Sequence, residues 1–125
     1  MSRGANAGNR NQGSNWAHRP TRLRIYERDG WRCVWCGCRV AEYTDPRRQR
    51  QHLALACLDH FKPRALGGTN EASNLLTSCV ACNRWRGETS AVRYALGVAS
   101  QTKAMQILER VFHAVTTALP PKKAA

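Results

Sequence analysis

The apolar positions fall into groups of different spacing, and the spacing predicts which element each group forms. Leu23, Ile25 and Tyr26, entered through Pro20 and Thr21, predict a short helix that ends at Asp29-Gly30, with the glycine as terminator. Leu53 to Leu58 is a continuous apolar run of the kind that suits a strand buried in a hairpin. Gly67-Gly68 supplies the turn, and Asn74-Leu75-Leu76 begins the return strand. Val80 to Arg86 predicts a helix broken by Gly87, because helical spacing brings Cys79, Cys82, Asn83 and Arg86 to one side. Ser90 is placed to cap a short helix ending at Gly97. From Ser100 to Leu119 a longer one carries Ala104, Ile107, Leu108, Val111, Val115 and Ala118 on one face. Gln106, Glu109, Arg110, His113 and Thr117 lie opposite, and Pro120-Pro121 stops the helix.

Between these groups the chain is polar. Met1 to Arg22 is rich in Gly, Asn, Ser and Arg and holds no acid, which predicts a disordered basic arm, either touching phosphates or serving as a solubilising tail. Residues 38 to 52, with Asp45-Pro46 and the Arg47, Arg48, Arg50 run, predict a solvated loop. No internal repeat is present. The expected organisation is an arm over 1–20, one α+β domain over 21–97, an amphipathic helix packed on it over 98–119, and a tail over 120–125.

Charge changes this picture by pointing to a partner. Twenty Lys and Arg against eight Asp and Glu give a formal net charge of +12 in 125 residues. Such an excess suits a polyanion, most simply nucleic acid, bound through phosphate neutralisation and counterion release. No apolar run is long enough to span a bilayer, and the N-terminus lacks the apolar core of a signal peptide. A cytoplasmic location is therefore expected. Thiols are reduced there, so the six cysteines argue for metal before disulfides.

Cys33-x-x-Cys36 and Cys79-x-x-Cys82 are two thiolate pairs, and four thiolates close a tetrahedral shell around structural zinc. Gly37 lets backbone amides turn toward bound sulfur. A redox Cys-x-x-Cys is the rival, but it does not need a second copy. Cys57 lies in the apolar strand as a packed thiol. Cys38, two residues beyond Cys36, leaves the ligand assignment open.

Asp59-His60 closes the apolar run just ahead of the turn. An imidazole is the side chain suited to take a proton near neutral pH. Asp59 offers a hard oxygen, and Asn83 a neutral one about a helical turn from Cys79. Two such oxygens with waters and a phosphate oxygen suit Mg²⁺. Neighbours on a regular strand face opposite sides, so the pair shares one site only if the strand ends or twists there.

Arg28-Asp29-Gly30-x-x-Cys33-x-x-Cys36-Gly37, Asp59-His60-x-x-Pro63, Gly67-Gly68, Asn74-Leu75 and Cys79-x-x-Cys82-Asn83-x-x-Arg86-Gly87 together resemble the HNH endonucleases over about residues 22 to 88. The resemblance implies a ββα-metal finger, a hairpin and helix around one catalytic divalent ion, here combined with a four-cysteine zinc knuckle and flanking helices. By the same resemblance His60 is the general base, Asp59 a metal ligand and Asn74 the residue that braces the loop and orients His60. Asn83 stands where many members have a final histidine, giving a His-Asn-Asn variant whose harder site favours Mg²⁺ or Mn²⁺. Arg86 stands where lysine is common. DNA is the implied substrate, cut to 5′-phosphate and 3′-hydroxyl ends. Its grip is expected from Arg47, Arg48, Arg50, Lys62, Arg64, Arg84 and Arg86, with Trp85 packed. Two other readings fit the composition: a non-catalytic zinc module that binds nucleic acid, and a nuclease active only inside a larger phage or mobile-element machine.

Overall fold

The computed structural model describes residues 18–42, 54–98 and 100–121. Leu53, the Arg47, Arg48, Arg50 run and the arm through residue 17 lie outside the described residues. The apolar run forms strand β2 (Ala54–His60), which continues two residues past the expected end at Leu58. It pairs antiparallel with β3 (Leu75–Cys79), from Ala56 opposite Cys79 to His60 opposite Leu75. His60 is therefore the last rung of the ladder. Residues 61–74 leave the sheet immediately after it as one loop, with single 3-10 turns at Arg64–Leu66 and Ala72–Asn74. Beyond expectation, β1 (Val40–Ala41) adds a third strand parallel to β2, inside the segment predicted as loop. Two residues carry no period, so the pattern had no means of marking it.

Helix α2 (Val80–Arg86) follows β3 without a linker, completing a ββα unit. Ahead of the hairpin, α1 (Arg19–Arg28) carries Pro20 in its first turn and stops at Asp29-Gly30, as predicted. Its last residue ties it to the sheet. The Arg28 guanidinium forks onto Asp29 at 2.7 and 3.0 Å and also donates to the carbonyls of Ala72 and Leu75. Asp29 Oδ2 in turn accepts from the Thr77 amide at 2.9 Å.

After α2, Ser90 caps α3 (Ala91–Leu96) and Ser100 caps α4 (Gln101–Thr116), each by accepting from an amide three residues on. Helix α4 ends at Thr116, three residues short of the expected Leu119. There Thr116 turns its hydroxyl onto the Phe112 carbonyl and Thr117 sets its own beside the His113 ring, side-chain bonds that compete with helix continuation. Ile107, Val111 and Ala114 bury the inner face of α4, while Met105 and Phe112 stay exposed.

Leu58, Leu75 and Leu76 are fully buried at the centre of the hairpin. At about 1.5–3 kcal/mol each, they outweigh the exposed Arg19–Glu42 ion pair, a type worth about 0–1 kcal/mol. Burial thus sets the hairpin register, and register sets where residues 57 to 60 point.

Candidate metal centre and active site

The four sulfurs of Cys33, Cys36, Cys79 and Cys82 lie within 4.8 Å of one another. Two matching turns bring them there. The Cys36 amide points at Cys33 Sγ (3.5 Å), and the Cys82 amide at Cys79 Sγ (3.4 Å). The first turn closes through Gly37, whose amide donates to the Cys33 carbonyl at 2.8 Å and whose φ of 80° is one that side chains resist. Hydrogen bonds from Cys79 and Cys82 hold the Cys33 sulfur far below the ordinary thiol value, and the bond to Cys33 pushes Cys82 up. Four sulfurs this close together, with backbone amides aimed at two of them, fit zinc, which takes four thiolates at about 2.3 Å in a closed tetrahedron. Zinc in such a shell holds the fold and offers no open position. Cys38 stands outside this cluster, whose four sulfurs are those of the two Cys-x-x-Cys pairs. Cys57 is buried, and burial pushes its thiol up, keeping it neutral.

Asp59 and His60 diverge, as neighbours on a continuous strand must. The Asp59 carboxylate turns inward, and the residue as a whole is 5 % exposed. Its Oδ1 takes the His60 amide at 2.8 Å and Arg86 Nη1 at 2.8 Å, while Oδ2 takes Trp35 Nε1 at 2.9 Å. Burial pushes this carboxyl above its ordinary value, and those donors pull against that. Arg86, expected to face phosphate, is only 2 % exposed. Its guanidinium lies 4.5 Å over the Trp35 ring and donates to the carbonyls of His60 (2.8 Å) and Phe61 (3.0 Å). Helical spacing placed Arg86 on the hairpin side of α2, and the strand's backbone took it up before solvent could.

The His60 ring turns the other way, with Nε2 2.8 Å from Asn70 Oδ1. Asn74 spends its amide on the loop instead. It accepts from the Lys62 amide (2.8 Å) and donates to the carbonyls of Lys62 (3.1 Å) and Thr69 (2.7 Å), pinching the loop at both ends. That pinch fixes Asn70, and Asn70 meets His60. Gly68 makes the pinch possible, because a Cβ there would lie 1.7 Å from the Lys62 carbonyl oxygen and 2.9 Å from Asn74 Nδ2. Gly68→Ala is expected to cost about 1–3 kcal/mol through overpacking and to impair any reaction that uses His60. Urea denaturation of the zinc-loaded variant, beside its activity, checks both.

Asn83 donates through Nδ2 to the Leu58 carbonyl at 2.9 Å, which turns its Oδ1 to the other side of the amide. Of the expected phosphate contacts, Lys62, Arg64 and Arg84 are exposed. Trp85, expected to pack, is 83 % exposed. Trp35, Asn70 and Arg110 were not foreseen as parts of the site. Arg110, assigned to the polar face of the last helix, donates to the Val34 carbonyl at 2.9 Å and so holds the first cysteine turn. A tryptophan inside a two-residue cysteine spacer was the one signal available.

No curated protein matches the chain, and among the described residues no helix is long and apolar enough to cross a membrane. Residues 33–89 match the family of HNH endonucleases, a span that begins at the first zinc-site cysteine and ends just past Arg86. With a ββα unit, a histidine at its strand end and four convergent cysteines inside that span, the chain carries an HNH endonuclease domain over residues 33–89.

Proposed function

We propose that the chain hydrolyses phosphodiester bonds in DNA, with His60 as the general base. The observation that carries this reading is the His60 ring. It leaves the last rung of the hairpin, meets Asn70 on a loop pinched by Asn74, and does so inside a domain of nuclease family. A neutral imidazole keeps one ring nitrogen protonated and one with a lone pair, and the latter is what takes the proton from water. Attack in line builds charge on the phosphorane and on the departing 3′-oxygen. Lys62, Arg64 and Arg84 are exposed cations in the loop and on α2, suited to hold phosphates. Contacts of that kind carry no base information, so sequence preference is expected to be slight.

A divalent cation, Mg²⁺ or Mn²⁺, is the family's further expectation, with Asp59 and Asn83 as its ligands. Asn83 fits, since its Oδ1 is turned away from Leu58. Asp59 as placed does not, because a carboxylate buried under three donors has little left for an inner-shell ion. The proton transfer and phosphate contacts above therefore rest on the chain's own groups.

Supercoiled plasmid with Mg²⁺ tests the reading, beside a His60→Ala variant shown to keep its zinc. The parent is expected to nick, and the variant to be slower by at least about 100-fold. Equal rates would assign the cutting to a contaminant. Salt-sensitive DNA binding with no cutting by the parent would instead make the chain a zinc-stabilised binding module.

A further inference from the structure

The residues around Asp59 connect the cysteine cluster to the strand end that carries His60. Trp35 sits between Cys33 and Cys36, so the turn that binds the ion also sets where its indole goes. The indole N–H ends on Asp59 Oδ2, and the indole face lies under Arg86. Arg86 in turn holds Asp59 Oδ1 and the successive carbonyls of His60 and Phe61. Asp59 Oδ1 also takes the His60 amide. The backbone of His60 is thus gripped on its N–H by Asp59 and on its C=O by Arg86, and both gripping groups rest on Trp35.

One group in this set is left without a partner: Arg86 Nε is buried with no acceptor. An unmade bond of that kind is a cost to stability. A buried ion pair is in any case weak evidence of stabilisation, since packed apolar residues often do as well. Placement is the better account of what the set does.

We infer that Trp35, Asp59 and Arg86 form a buried bracket that transmits the geometry of the cysteine cluster to His60, and that all three are positioning residues rather than binders of DNA or of a second cation. The inference rests on the nuclease reading for its effect on rate, but not for its effect on the His60 ring. Misplacing a reacting group by about 1 Å costs about 100-fold. The bracket spans the distance over which such an error would enter.

Trp35→Phe keeps a ring under Arg86 and removes the N–H, whereas Trp35→Leu removes both. With one zinc per chain retained, kcat on plasmid is expected to fall about 10-fold in the first and about 100-fold in the second. KM and the Mg²⁺ concentration for half-maximal rate should stay at parent values, because neither DNA contacts nor cation ligands have changed. Nuclear magnetic resonance of the zinc-loaded protein without DNA should show the His60 imidazole signals displaced in both. Parent-like kcat together with parent-like His60 signals would overturn the bracket, as would a shift confined to the Mg²⁺ requirement. If the parent cuts nothing while the His60 signals still move in Trp35→Phe, the nuclease reading falls and the bracket stands. Should the Trp35 variants lose zinc, Arg86→Lys gives the same test. It keeps a charge on Asp59 but cannot reach both carbonyls and stack at once, so unmoved His60 signals there would sink the inference.

Discussion

Chelation of zinc loaded at the Cys33, Cys36, Cys79 and Cys82 cluster is expected to unfold the domain, not merely to loosen it. Zinc sites of this kind contribute about 10–16 kcal/mol of apparent folding free energy, against about 5–15 kcal/mol for the whole stability of an ordinary domain. The geometry gives that comparison its force. Cys33 and Cys36 lie in the turn after α1, and Cys79 and Cys82 lie at the junction of β3 with α2, so the ion joins two distant parts of the chain. Circular dichroism during addition of a strong chelator, with zinc release followed in parallel, should show loss of helix in step with loss of metal. Cys79→Ser should behave like the stripped parent, and Cys38→Ser should keep one zinc per chain. A chelated protein that retained its cooperative thermal transition would refute this account.

The contrast between cysteines and aspartate shows what the chain made legible and what it did not. Two Cys-x-x-Cys pairs stated their purpose in spacing alone, because a two-residue spacer brings two sulfurs to one ion wherever the pair sits. The hairpin and α2 were legible for a related reason, since period and glycine breaks are local signals. Asp59 was different. Its residue type and place beside His60 suggested a metal ligand, but its actual partners come from α2 and from the first cysteine turn, 27 residues ahead at Arg86 and 24 behind at Trp35. No local pattern reports a partner that far away. Arg110 was misjudged likewise, placed on the polar side of its helix when the cysteine turn offered it carbonyls to bind. His60 was legible as a histidine at the strand end beside the loop, though its link to Asn74 runs through Thr69 and Asn70 rather than directly.

Removing one member of the Asp59–Arg86 pair is expected to destabilise the zinc-loaded protein by about 3–5 kcal/mol, the cost of leaving a buried charge uncompensated. Both side chains are nearly sealed from solvent, Arg86 at 0 % and Asp59 at 8 % exposure, so water does not screen the loss. Arg86→Ala should be the worse of the two single changes. It frees the carbonyls of His60 and Phe61 and uncovers the Trp35 ring as well as stranding Asp59. Asp59→Leu with Arg86→Met should recover most of the stability, since apolar residues of similar volume can replace a buried pair at little cost. Urea midpoints measured with zinc present separate these cases. The double variant has a further use. A chain that is stable, zinc-loaded and still binds DNA, yet cuts it far more slowly than the parent, would place the value of the pair in holding His60 and not in holding the fold together. If the double variant cut as fast as the parent, the pair would be dispensable to His60, and its buried, half-satisfied guanidinium would have no explanation in function.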